Sequence, residues 1–323
     1  MSDKEYTYAV ARIRSLEPAL FSASVIDQLI AVPTYGGAIN FLVDKGWGDS
    51  EHLDDAESIL TCEREKTWKL MGELVEDMSV FDVLTLSDEF HNLKAAIKQI
   101  GTGVENSHIF YRDTRIAPEE MVRIVADKDF YALPKNMQEA AREATEAFLQ
   151  TKDGQLCDII IDKATLEAIY EAGKNAKDNI LRQYAETVVA VADIKIAVRS
   201  QKTAKTLEFM KRAMAACDSL NIDRLSQAAL SGKDSLITYL ESTNYRDGAA
   251  ALGESASAFE LWCDNQIIET IKPQKYNAFT LGPIVAYVLA RENEIKTVRI
   301  ILSGKQNSLP EESIRGRVRE MYV

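Results

Sequence analysis

One short pattern recurs three times at a fixed interval, and it constrains the fold more than any other feature. Asn92-Leu93-Lys94-Ala95-Ala96-Ile97-Lys98 resembles Asp193-Ile194-Lys195-Ile196-Ala197-Val198-Arg199. Both resemble Glu294-Ile295-Lys296-Thr297-Val298-Arg299-Ile300. The copies start at 92, 193 and 294, a spacing of 101 both times. Each reads polar, Leu or Ile, Lys, any residue, then small or branched apolar. Upstream of each copy lies a cysteine in a helical pattern, Cys62, Cys157 and Cys263, with gaps of 30, 36 and 31 residues to the motif. A second echo joins copies one and three: Ala38-Ile39-Asn40-Phe41-Leu42 with Trp47 resembles Leu236-Ile237-Thr238-Tyr239-Leu240 with Tyr245. A repeat of this length predicts three copies of one unit of about 100 residues, the size of a small domain. The expected units are 1–104, 105–205 and 206–323, the last carrying an extra terminal helix.

The repeating element is helical. Leu93, Ile194 and Ile295 pair with Ala96, Ala197 and Val298 three positions on, which makes one packing face. Lys94, Lys195 and Lys296 sit one step around, at its edge. They are either surface lysines that lay their stems over apolar neighbours or three equivalent positive groups about a pseudo-threefold axis.

The rest of the chain also reads as helix. Ile180, Tyr184, Val188, Val191, Ile194 and Val198 recur at steps of three or four between Ile180 and Arg199. Asn136–Leu149 is rich in Ala and Glu, both strong helix formers. Pro118 followed by Glu119 and Glu120 suits a helix start. Ser308 and Glu311 have capping-box spacing, which predicts a last helix running to the C-terminus. The only strand-like run, Ile159–Ile161, sits inside a helical pattern. Breaks are expected at Gly36-Gly37, Gly46 to Gly48, Gly101 to Gly103, Gly232 and Gly304. With 15 Gly and 7 Pro in 323 residues, turn chemistry is too scarce for a sandwich or barrel. The fold class is all-α.

Chemistry is hard to find. No CxxC exists, so a zinc site of cysteine pairs is excluded. Gly232-Lys233 and Gly304-Lys305 lack the first glycine of a phosphate loop, having Gln227 and Arg299 there. His52-Leu53-Asp54-Asp55-Ala56-Glu57 invites an isoprenoid-synthase reading, but DDxxD needs an acid where Ser58 stands, and a helix start is the simpler account. Glu105 to His108, and Asp88 to His91, have the spacing of a di-iron helix, yet such a site needs two ExxH helices and two more glutamates. A Ser-His-Asp or Cys-His arrangement would form only in the fold, and no GxSxG or cysteine signature favours one. No catalytic, cofactor or metal residue is assigned. The N-terminus has no uninterrupted apolar stretch of a signal peptide, and no run of about 18 apolar residues occurs.

Charge is uneven within a net of -12. Residues 51–89 hold 12 acids and 3 bases, and residues 195–212 hold six bases and one acid. Net acidity argues against nucleic acid as the main partner. Each charged run is either a solvated helix face or a steering surface for a protein partner. On the second reading Lys202, Lys205 and Arg212 are candidate contacts, and Arg315, Arg317 and Arg319 of the expected last helix are candidates to meet an acidic partner surface or lipid headgroups.

The stretch from Phe279 through Gly282-Pro283, Tyr287, Arg291-Glu292-Asn293-Glu294 and Ser303-Gly304-Lys305 resembles the signature region of the C subunit of the archaeal and bacterial V-type (A-type) rotary ATPases, whose eukaryotic counterpart is the d subunit. Leu309–Arg315, the closing Met321-Tyr322-Val323, Tyr6–Arg14 and Phe90–Lys94 are similar as well. The resemblance implies a funnel of three similar helical bundles around a pseudo-threefold axis, in agreement with the 101-residue period. It implies a non-catalytic part of the central stalk on the cytoplasmic side of the membrane. The partners implied are the central-shaft subunits of the soluble head and the membrane rotor ring, with the stator membrane subunit as a further neighbour and no small-molecule substrate. Torque would pass through it to couple ATP turnover to H+ or Na+ movement, the ion being set by the ring. Two alternatives come from the residues alone: a free-standing all-α enzyme, isoprenoid-synthase-like or di-iron, and a helical-repeat adaptor with an open concave face.

Overall fold

The computed structural model describes residues 6–49 and 55–323. Among them there is no strand, and α-helices follow one another along the chain: α1 (Thr7–Leu16), α2 (Ala23–Ala31), α3 (Tyr35–Asp44), α4 (Ala56–Leu74), α5 (Asp82–Thr102), α6 (Pro118–Asp127), α7 (Lys135–Thr151), α8 (Gly154–Asn175), α9 (Asn179–Lys202), α10 (Leu207–Ala213), α11 (Ile222–Ser231), α12 (Lys233–Glu241), α13 (Arg246–Glu254), α14 (Ala256–Ile271), α15 (Gly282–Gln306) and α16 (Glu311–Arg315). The expected helices at 136–149 and 180–199 lie inside α7 and α9, and Ile159–Ile161 is helical within α8.

Local chemistry sets the starts. Ser22, Thr34, Asp55, Asp153, Thr206, Asn221 and Ser255 each accept a backbone N–H from the first turn that follows, a bond that satisfies one of the donors a helix start leaves open. Asp55 is thus a helix cap; His52, Leu53 and Asp54 lie outside the described residues. Gly103, at φ 70°, closes α5 in the left-handed conformation that glycine adopts freely.

The chain forms two compact units. The first comprises 1–78, 178–180 and 250–323. In it α15 packs on α4, α14 and α1. Ile295, Val298, Ile301 and Leu302 of α15 join Ile26, Leu29, Leu42, Ile59 and Leu60 in one core. The second unit comprises 79–177 and 181–249. In it α5 lies against α6, α7 and α8, and α11 against α10 and α12. The face read from the repeat is buried in all three copies: Leu93, Ala96, Ile194, Ala197 and Val298 are fully inside and Ile295 nearly so.

The structure corrects three readings near the C-terminus. No helix runs to the end: α16 stops at Arg315, and 316–323 continues without helix. Ser308 is no cap. It turns the chain at φ 54°, and its own N–H goes to the Lys305 carbonyl, so it helps close α15. The last residues abandon helix because they have better partners elsewhere. Met321 and Tyr322 are buried, Asn293 Nδ2 donates to the Glu320 carbonyl at 2.9 Å, and the Glu320 N–H donates to Asn265 at 2.9 Å. Gly304 is likewise no break. It lies inside α15, where a β-carbon would sit 2.7 Å from Ile314 Cγ1, so its absence lets α16 close on α15. Gly36 and Gly37 also sit in the first turn of α3, with Thr34 capping the Gly37 N–H.

Candidate functional site

The residue that opens each repeat motif is the most instructive. Asn92, Asp193 and Glu294 are polar, and all three are completely buried. Each accepts a backbone N–H from the segment that precedes a short helix. Asn92 Oδ1 accepts from Tyr111 at 2.9 Å, ahead of α6. Asp193 Oδ1 accepts from Ala215 at 3.1 Å, ahead of α11. Glu294 accepts from Phe21, ahead of α2. A buried N–H left unpaired costs about 1–3 kcal/mol, so each motif helix fixes an otherwise irregular segment. The repeat is therefore a packing face with a clasp at its head.

The three clasps handle charge differently. Asn92 is neutral and makes a two-way contact, its Nδ2 donating to the Tyr111 carbonyl at 2.7 Å and to Thr114 Oγ1 at 3.0 Å. Glu294 pairs with Arg291, one turn earlier on α15. Arg291 also reaches Glu63 on α4 at 2.5 Å and lies 5.2 Å from the centre of the Trp47 ring. Burial works against the Arg291 charge, but the carboxylates of Glu294 and Glu63 outweigh it and hold the guanidinium protonated. Glu63 is completed by the Gly48 N–H at 2.9 Å and Lys66 at 2.6 Å. Asp193 has no such partner: its Oδ2 is buried without a hydrogen bond.

Two acids of the 51–89 run, Glu63 and Glu89, are thus internal acceptors and not a docking face; Glu89 takes the Arg115 N–H at 2.6 Å. Burial pushes the Glu89 carboxyl above its usual range. Sequence reasoning passed over Glu63 and Arg291. The available signal was an acid directly after each repeat cysteine, Glu63, Asp158 and Asp264, all three of them ion-paired.

The candidate contact residues fall into distinct settings. Lys94 faces α8, with Asp162 at 2.6 Å and Asp158 at 3.8 Å. Lys195 is half-buried on α9, and Lys296 is exposed, with Glu292 at 3.8 Å. Lys202 is exposed at the end of α9. Lys205 reaches Gln155 at 3.3 Å and lies over the Phe209 ring, while Arg212 pairs with Glu143 at 3.1 Å. Arg315 pairs with Glu311 at 2.8 Å and with Asp27.

Lys296 and Arg319 come together. With Arg299 and Arg317 they rim an open groove of about 650 Å³ between α14, α15 and the C-terminal segment. Leu261 and Ile300 supply apolar lining, and Glu260 and Asp264 are its acids. Arg319 is tied to Asp264 at 3.0 Å and Arg299 to Glu57 at 2.9 Å. Among the described residues no three side chains gather to hold a metal ion, and no helix is long and apolar enough to cross a membrane.

The sequence profile of the ATP synthase (C/AC39) subunit family matches residues 9–317. This chain belongs to that family. A C/AC39 subunit is a part of an ATPase complex and not a catalyst in its own right. Among C/AC39 relatives, the C subunit of the V-type sodium ATPase of Enterococcus hirae is 22% identical over 325 residues, covering 98% of this chain and 99% of the relative. The C subunit of the A-type ATP synthase of Methanocaldococcus jannaschii is 23% identical over 345 residues, covering 96% and 85%. That of Desulfurococcus sp. is also 23% identical over 345 residues, covering 96% and 89%.

Proposed function

We propose that this chain is the non-catalytic C subunit in the central stalk of a V-type or A-type ATPase: a socket, peripheral on the cytoplasmic face, that joins the rotating shaft of the soluble head to the membrane rotor ring and passes torque between them. The observation that carries this reading is the family match over residues 9–317, nearly the whole chain. The physical character of the chain supports it. A torque-bearing part needs stiffness, which close-packed helices supply, and it needs docking faces more than a reaction site. The three similar helical units expected from the repeat are part of the same proposal, as are the lysines and arginines named as contacts. Among these, the groove rimmed by Lys296, Arg299, Arg317 and Arg319 is the surface best suited to an acidic, amphipathic helical segment of the shaft, because apolar lining and opposite charge act together there.

The test is reconstitution with purified shaft subunits and detergent-solubilised ring. Wild-type protein is expected to bridge the two in a pull-down. Lys296 and Arg317 are the groove cations that form no tight ion pair among the described residues. Reversing both, Lys296→Glu with Arg317→Glu, should weaken shaft capture at least tenfold, slow association, and leave ring binding and the melting temperature unchanged. Failure of wild-type protein to bind either partner would refute the stalk reading. Unchanged shaft binding by the double variant would refute only the groove assignment.

A further inference from the structure

The three clasps hold equivalent segments by equivalent bonds, yet they are not equally protected against a change of charge. The first is an amide. The third is an acid neutralised by a buried arginine. The second, Asp193, is an acid with one oxygen on the Ala215 N–H and the other in the protein interior with nothing to bond. We infer that Asp193 is a proton-operated latch on segment 214–221: with its proton it holds the segment down at Ala215, and without it the buried charge drives the segment to open and admit water.

The surroundings leave this charge uncompensated. From α8, Lys163 is the cation acting on Asp193, and it gives its own hydrogen bond to the Lys211 carbonyl, at 3.3 Å. From α9, Glu186 adds a like charge, and it is committed to the N–H groups of Asp218 and Ser219 in the same segment, at 3.2 and 2.8 Å. Within the segment, the Cys217 thiol is held neutral, burial being the main cause of a rise to about 12. A carboxylate taken from water without full hydrogen bonding is penalised heavily. Burial accordingly raises Asp193 from its ordinary 3.8 to about 7 against the pull of Ala215 and Lys163. The sign follows. The closed state binds the proton more tightly than the open one, so closure is free of the charge penalty below pH 3.8, weakens as pH rises, and levels off above about 7. Between pH 6 and pH 8 the opening equilibrium should grow about tenfold.

Hydrogen–deuterium exchange of the full chain measures this directly, with rates corrected for the intrinsic effect of pH on amide chemistry. Peptides covering 214–221 are expected to show the tenfold rise from pH 6 to pH 8. Asp193→Asn, the residue that copy one already uses, should abolish the dependence. A flat wild-type profile, or an undiminished dependence in D193N, would overturn the latch. Should D193N fold poorly, Lys163→Met on the half-exposed side of α8 serves instead. Removing that cation should move the transition to higher pH, and an unmoved transition would also overturn the proposal.

Discussion

The buried triad of the first unit makes a quantitative prediction. Arg291 is flanked by two carboxylates, Glu63 and Glu294, and all three side chains are nearly or completely out of solvent. Arg291→Met keeps the length and apolar stem of the side chain but removes the charge. It strands the Glu294 carboxylate in the interior, leaves Glu63 only Lys66 and the Gly48 N–H, and deprives Trp47 of the cation beside its ring. Breaking a buried ion pair by removing one partner costs about 3–5 kcal/mol, so R291M should lose that much stability. For a unit of about 150 residues this corresponds to a fall in melting temperature of roughly 6–20 °C. The assay is urea unfolding followed by helical circular dichroism and tryptophan fluorescence. A pH series adds a sign. Burial holds the Glu294 carboxyl above its usual range, and without Arg291 it binds its proton more tightly still in the folded state, so its contribution is favourable at low pH and lost as pH rises. The deficit of R291M should therefore shrink from about pH 7 to about pH 5. The triple variant Glu63→Gln, Arg291→Met, Glu294→Gln, with no charge to strand, should recover most of the loss. A cost below about 1 kcal/mol for R291M, or a deficit independent of pH, would refute the account of the triad as mutually dependent buried charges.

Two further outcomes follow from close contacts in the second unit. Gly173→Ala would put a methyl 2.2 Å from Ala185 Cβ and 3.1 Å from the Leu181 carbonyl, where α8 meets α9 with no room between backbones; denaturant unfolding should show a loss of about 2–3 kcal/mol. Asn92→Ala would leave the Tyr111 N–H and carbonyl without their partner; the expected loss is again about 2–3 kcal/mol, with faster amide exchange at 109–114 and little change at 214–221.

Helicity was legible because it is local. Apolar residues at steps of three and four, and Pro118 at a helix start, act within a few residues of themselves. The outcome at Gly304 is decided by a feature that is not local, its contact surface for Ile314, whereas Ser308 has capping-box spacing to Glu311 but closes the preceding helix α15 instead, in a left-handed turn with its N–H on the Lys305 carbonyl. Lys94 and Lys296 occupy the same place in the pattern, but the neighbouring helix gives one a carboxylate at 2.6 Å and leaves the other exposed on a groove rim.

The clasps mark the boundary most clearly. The sequence by itself determined that a polar residue heads each copy of the motif, that the copies recur every 101 residues, and that an apolar face follows each head. Only the tertiary structure decided what those heads do, because their partners lie 19, 22 and 273 residues away. Burial turns each from a surface group into an obligate acceptor, and whether a counter-charge stands within reach then separates a neutral clasp, a salt-bridged clasp and one that answers to a proton.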